Sequence, residues 1–160
     1  MSVFDFNDIS APSLEHFADL RVEVGTPQVL GGTPRGMRRV VPITGGEATG
    51  HGWRARVLPG GCDFQLIVSE TLSELDARYA LETDSGDLIY VQNQAMRSAT
   101  PEVMARLLRG DPVDPTQVYF RCNPRFETTS PSLKWISERM FTGAGMRKPS
   151  EVVMRFYTLV

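Results

Sequence analysis

Leu72-Ser73-Glu74-Leu75-Asp76-Ala77-Arg78-Tyr79-Ala80-Leu81-Glu82-Thr83-Asp84-Ser85-Gly86-Asp87-Leu88-Ile89-Tyr90-Val91-Gln92-Asn93 is the stretch whose pattern decides the fold. From Leu72 to Thr83 the residues alternate. Leu75, Ala77, Tyr79 and Leu81 fall on one side; Glu74, Asp76, Arg78 and Glu82 fall on the other. A period of two marks a half-buried strand. Asp84-Ser85-Gly86 supplies turn chemistry, because glycine tolerates positive φ. Asp87 to Asn93 then returns as the partner strand. Thr71-x-x-Glu74 also fits a helix capping box, but the alternation after it argues for strand.

On the C-terminal side of this hairpin, one helix is expected near Pro101 to Arg109. Thr100 suits the N-cap, Pro101 the first helical position, Glu102 the positive helix end and Gly110 the stop. Asp111-Pro112 and Asp114-Pro115 make a rigid loop. Strands are expected at Gln117 to Asn123, Leu133 to Phe141 and Val152 to Leu159. On the N-terminal side, Ala18 to Val24 alternates, Gly25 to Gly36 reads as an irregular connection, and Arg38 to Ile43 reads as a strand. Gly45-Gly46 reads as a break, after which Glu47 to Leu58 resumes; Pro59-Gly60-Gly61 is a turn leading into Asp63 to Val68. Eight or more strands at this spacing mean a sandwich or a barrel. A closed barrel removes exposed sheet edges. The expected fold is mainly β: a single antiparallel β-barrel with one short helix.

The 160 residues fit one domain, with a tether over residues 1–13 and the barrel over 14–160. A chain of this size buries roughly 70% of its unfolded surface, enough for a core without disulfide or metal. Hydrophobic residues make up 41% and charged residues 22%, with a net charge of −2. Like charges are not clustered, so neither nucleic acid nor a membrane surface is an expected partner. No apolar run approaches the roughly 20 residues of a membrane-spanning helix. Met1 to Ser10 contains Asp5 and Asp8 and no basic segment, unlike a signal peptide. The expected compartment is the cytoplasm, with Cys62 and Cys122 as free thiols. A homodimer is compatible with this reading.

Several side chains stand out as candidates for a site. Asp63 follows a tight turn and could act as a general base or orient a ligand hydroxyl, or simply cap the turn. Arg78 would suit a substrate carboxylate if its face were the lumen, or an ion pair with Asp63, Glu82 or Asp76. Arg39 and Arg121 fit the same logic, against a plain outward position. Tyr90, Tyr119 and Trp135 are candidates for an aromatic pocket, whereas Tyr79 is assigned to packing. His16 and His51 are the only histidines, and neither a His-Glu-x-x-His nor a Cys-x-x-Cys spacing occurs, so no metal site is expected. Gly-x-Ser-x-Gly is missing too, and the glycine clusters at 31–36 and 143–145 match no nucleotide loop and read as turns.

Four segments in register carry a family resemblance: Gly36-Met37-Arg38-Arg39-Val40-Val41-Pro42-Ile43-Thr44-Gly45-Gly46, Leu58-Pro59-Gly60-Gly61-Cys62-Asp63-Phe64, Leu75-Asp76-Ala77-Arg78-Tyr79, and Tyr119-Phe120-Arg121 with Arg125-Phe126-Glu127-Thr128. From about Leu20 to the C-terminus the chain resembles the bacterial domain-of-unknown-function 3237 family. The resemblance implies a calycin-like β-barrel with an internal cavity. For some proteins of this type it implies cofactor-free decarboxylation of lignin-derived aromatic acids. In such a lyase Arg78 or Arg121 would hold the carboxylate of a small aromatic substrate, and Asp63 or Tyr90 would take a phenolic proton. The ring itself would serve as electron sink, so no cofactor is expected. The other reading is a non-catalytic, lipocalin-like carrier of a small apolar ligand. A third is an accessory protein whose barrel is simply filled. Inward-facing ionisable groups would favour the enzyme; a wholly apolar lumen would favour the carrier.

Overall fold

The computed structural model describes residues 5–160. In chain order its elements are β1 (Leu14–Val24), β2 (Gln28–Thr33), β3 (Gly36–Gly50), β4 (Trp53–Val57), β5 (Cys62–Ile67), β6 (Leu72–Thr83), β7 (Leu88–Ser98), α1 (Pro101–Arg109), β8 (Tyr119–Thr128), β9 (Phe141–Arg147) and β10 (Glu151–Leu159). The hairpin forms as the alternation requires: β6 and β7 pair antiparallel from Leu72↔Ser98 to Glu82↔Leu88. Neighbours run β1, β10, β9, β8, β7, β6; β4 and β5 both bridge β6 to β3, and β3 returns to β1. β4 faces Glu47–Gly50 of β3 and β5 faces Met37–Pro42, so the two are halves of one stave broken at 58–61. Eight staves therefore close an antiparallel barrel, wide enough for a filled core or one small ligand. β2 lies outside the ring and, among the described residues, pairs with β3 alone.

Four segments differ from the sequence expectation. Gly45-Gly46 bends β3 rather than ending it. Gly46 has φ 126 and lies against the Arg21 carbonyl, where a Cβ would overlap. That bend lets one long strand pair with β1 over its second half and with β2 and β5 over its first. Gly25 to Gly36 contains β2. Gly143 and Gly145 sit inside β9, because Phe156 and Phe120 pack where their side chains would be. The expected strand Leu133 to Phe141 is instead a run of 3-10 turns, Pro131–Glu138. Its buried residues, Leu133 and Ile136, are three apart, the repeat of that helix.

The lumen is divided along its length. At one end Phe17 packs on Phe141 at 4.8 Å and on Phe126 at 5.4 Å between ring centres, and Phe156 joins them. This plug is solid apolar core. The other end is capped by α1, which buries Val103, Met104 and Leu107. Thr100 Oγ1 accepts from the Val103 N–H, Pro101 opens the first turn, and Gly110 closes the helix at φ 83. Among the described residues no helix is long and apolar enough to cross a membrane. Both cysteines are free. Of the tether expected over residues 1–13, the first four lie outside the described residues. The rest is exposed, with a 3-10 turn at Phe6–Asp8, and Ser13 is tied to Val160 by backbone bonds.

Candidate active site

Between the aromatic plug and α1 the barrel holds a cavity. It encloses about 550 Å³ of free space, its open side included, of which the centre of a water molecule can reach about 50 Å³. Strand register explains the opening. Asp63 on β5, Ala77 on β6 and Asn93 on β7 lie in one row across the wall; Gln65, Leu75 and Ala95 form the next. Ala77 and Ala95 are small, so the polar residues beside them face space rather than packed atoms. Val24, Val152 and Arg147, at the ends of β1, β10 and β9, are partly exposed and mark the open side.

The polar lining is linked on one side. Arg39, 7% exposed, donates from Nε to Gln65 Oε1 at 2.9 Å and from Nη1 to the Leu108 carbonyl of α1 at 3.2 Å. Gln65 Nε2 donates in turn to Asp63 Oδ2 at 2.7 Å. Asn93 Nδ2 has Met154 Sδ at 3.4 Å. Among the described residues five other buried side-chain polar atoms have no partner: Asp63 Oδ1, Tyr79 OH, Asn93 Oδ1, Arg97 Nε and Arg147 Nη1. All five belong to residues lining this cavity. Orphaned buried polar atoms are rare in native folds and call for a reason. Their convergence on one space indicates a site where a ligand or water completes the bonds.

Electrostatics point the same way. Arg97 is 2% exposed, and burial brings its guanidinium down to about 10 against the opposing pull of Asp63. The Phe120 ring lies 5.9 Å from its Cζ. Arg39 and Arg147 are lowered by burial first, Arg147 also by Arg39, and Asp63 opposes both shifts. Burial likewise raises Asp63, while Gln65 and Arg97 pull it back. Tyr79 is pushed up by burial. Three guanidiniums thus surround one carboxylate, a pocket that favours an anion and contains one group able to take a proton. Among the described residues no three His, Cys, Asp or Glu side chains are grouped to share a metal ion.

Of the seven side chains singled out in the sequence, Asp63 and Arg39 belong to this site and five do not. Arg78 points outward, half exposed, with Nη2 donating to Asp76 at 3.1 Å. The lumen is the hydrophobic core, so the apolar face of β6 turns inward and its charged face outward. Tyr90, between buried Ile89 and Val91, is exposed for the same reason. Tyr119 and Arg121 stack on each other outside β8, 5.2 Å apart, while Phe120 and Cys122 point in. Trp135 stands on the 3-10 turns at the plugged end, 5.5 Å from Phe17. Sequence reasoning missed Gln65, Asn93, Arg97 and Arg147 and gave Tyr79 to packing alone. For Asn93 and Arg97 the signal was present: each is a polar residue on the inward parity of β7, Ile89-Val91-Asn93-Ala95-Arg97.

Comparison with known proteins follows the same lines. Residues 12–159 match the family described as "Protein of unknown function (DUF3237)". A UPF0311 protein of Rhodopseudomonas palustris is 41% identical over 145 residues, covering 89% of this chain and 95% of that one. A crystal structure described as a conserved protein from the same organism has a TM-score of 0.89 at 38% identity, over 95% of this chain and 99% of that one. A "beta-barrel like protein" from Acinetobacter baumannii gives 0.83 at 36%, over 95% and 98%. An enzyme from Penicillium herquei shares the fold at 15% identity, with a TM-score of 0.70 over 95% and 97%.

Proposed function

This chain belongs to the DUF3237 family of β-barrel proteins, and from that barrel and its charged lumen we propose that it is a cofactor-independent acid–base enzyme of lyase type for a small, anion-bearing aromatic molecule. The observation that carries this reading is the burial of Asp63 and Arg97 in one cavity, each with an unpartnered atom facing it. A buried, unpaired guanidinium is expensive to keep. Such a cost is typical of sites where perturbed groups do chemistry. Asp63, raised by burial, is the proton acceptor. Arg97 and Arg147 stabilise the oxyanion that forms when the proton leaves, in a lumen where their field is little screened.

Decarboxylation of an aromatic acid is one reaction of this class. It fits best when the arginines hold the phenolate or enolate oxygen. An arginine fixed on the departing carboxylate would hold in place the negative charge that the reaction must disperse. A carrier of apolar ligands is the weaker reading, because such a ligand would leave the five polar atoms unsatisfied. The test is turnover of hydroxylated aromatic acids, followed by carbon dioxide release and by deuterium uptake from heavy water. Asp63→Asn should lower the rate by about 100-fold or more, with the fold intact. Turnover by Asp63→Asn at the wild-type rate, or none by wild type across the panel, would overturn the reading.

A further inference from the structure

The two oxygens of Asp63 differ in their surroundings. Oδ2 accepts from Gln65 Nε2 at 2.7 Å, whereas Oδ1 has no partner in the cavity that Asp63 lines. Chemistry fixes which way the Gln65 amide is turned. A guanidinium can donate but not accept, so the amide atom 2.9 Å from Arg39 Nε is the oxygen, and the nitrogen faces Asp63. Strand register builds this chain: Arg39 on β3 stands opposite Gln65 on β5, and Asp63 is two residues along the same face. Its far end lies on α1. The Gly110 N–H bonds to the carbonyls of Arg106 and Leu107, and Arg39 Nη1 donates to that of Leu108 at 3.2 Å. Helix ends leave carbonyls in need of donors, and a cation there also meets the negative end of the helix.

From this wiring we propose that Gln65 and Arg39 are positioning residues for the base: their donor chain fixes Oδ1 as the atom of Asp63 that takes the proton, and the chain is complete only while α1 is seated on the barrel. This deepens the acid–base reading, by naming what regulates the site, and rests on it. A proton on Oδ2 would make that oxygen a hydroxyl and weaken the bond it accepts from Gln65. A proton on Oδ1 leaves Oδ2 a carbonyl and the bond intact, so the proton goes to the cavity side. The chain also keeps the base ready. Burial favours the protonated acid; the Gln65 bond opposes this, with Arg97 of β7 and the Asp76 backbone N–H of β6, while the Asp76 carboxylate adds to the rise. Arg39, Arg147 and Tyr79 face Asp63 from β3, β9 and β6. The Gln65 bond is the one that Arg39 ties to the helix. Lifting α1 frees Arg39, lets the amide turn and shifts Asp63 toward its protonated form until the cap closes again.

Carbon-13 carboxyl NMR of the labelled protein, with Asp63 assigned from Asp63→Asn, reads the titration midpoint without any turnover. In the wild type the Gln65 side-chain amide signal should move with the Asp63 midpoint. Gln65→Met keeps all three guanidiniums and removes the bond, so the midpoint should rise by about one unit. Arg39→Met should also raise it, but by less when Gln65→Met is already present, because part of its effect passes through Gln65. By reciprocity, α1 amides should exchange more slowly above the Asp63 midpoint than below it, beyond the chemical effect of pH, and Asp63→Asn should abolish that difference. Two-dimensional spectra report which variants are folded, and the wild-type titration and exchange stand without them. A Gln65 amide signal that ignores the midpoint, a Gln65→Met midpoint equal to that of the wild type, additive shifts in the double variant, or helix exchange blind to Asp63 overturns the proposal. The outcomes separate from those of the parent reading: a chain that behaves as stated in a protein without turnover upholds the wiring and sinks the enzyme. Turnover that needs Asp63, with a midpoint blind to Gln65, does the reverse.

Discussion

Asp63 and Arg97 set the pH behaviour expected of the lumen. Burial raises the Asp63 carboxyl above its ordinary value near 3.8. A raised acid contributes its stability in full below the unfolded value, and that stability is lost as pH rises through the folded one. Arg97, brought down to about 10, regains its share only as pH rises past that point. At neutral pH both groups therefore weigh against the fold. Asp63→Asn should melt higher than wild type at pH 7–8, by about 1.4 kcal/mol for each unit by which the acid is raised, with the gap closing near pH 4. Outer carboxylates have the opposite sign: Asp19, held at about 2 chiefly by its hydrogen bond with Arg155, favours the fold until pH falls through that value. The difference between variant and wild type is thus the quantity to measure. A gap that does not change with pH would show that Asp63 carries no burial cost. A stabilised but inactive variant is the usual trade between a strained site and a comfortable fold.

At the scale of elements, the turn that breaks the β4–β5 stave has a steric requirement. A Cβ on Gly61 would lie 2.5 Å from the Arg78 carbonyl and 2.5 Å from Tyr79 Cβ. Gly61→Ala should push β5 off β6 and cost about 2 kcal/mol, as overpacking does. Gly32→Ala, with open space and ordinary φ, should be close to neutral in the same urea titration; equal losses would refute the steric account. The hairpin and α1 were legible because their signals are local: alternation, a turn glycine, a cap. The 3-10 turns at Pro131–Glu138 were not, because Leu133 and Ile136 reach the core only through contacts distant in sequence. Placing Arg78 takes one rule that alternation alone does not supply: the more apolar parity of a closed barrel faces inward, which makes Arg78 an outer ion pair with Asp76. By the same rule Asn93 and Arg97 stand out as polar intrusions on the inward face of β7, whereas Trp135 depends on the 3-10 turns that its segment forms in place of a strand.

For the molecule as a whole, closure does two jobs at two ends. The aromatic plug supplies stability, with pairs such as Phe17–Phe141 adding about 0.5–1.5 kcal/mol each beyond area burial. That leaves the α1 end free to hold a poorly satisfied cavity, and Arg39 ties the helix to the wall there. The overall architecture was readable from strand spacing; the division of the lumen into plug and cavity was not, since it depends on which small residues fall in register. The lumen's three guanidiniums also have a kinetic consequence. Net charge on the chain is −2, so with the lumen positive the outside carries a surplus of at least four negative charges. An incoming anion is repelled before it is attracted. Dissolved ions screen the approach, over a Debye length of about 8 Å at physiological strength, but do not reach the interior. Raising salt should therefore speed the association of 4-hydroxybenzoate in stopped flow and leave its departure unchanged, the reverse of ordinary electrostatic steering; a capture rate that falls with salt would mean that the mouth, not the whole surface, governs encounter.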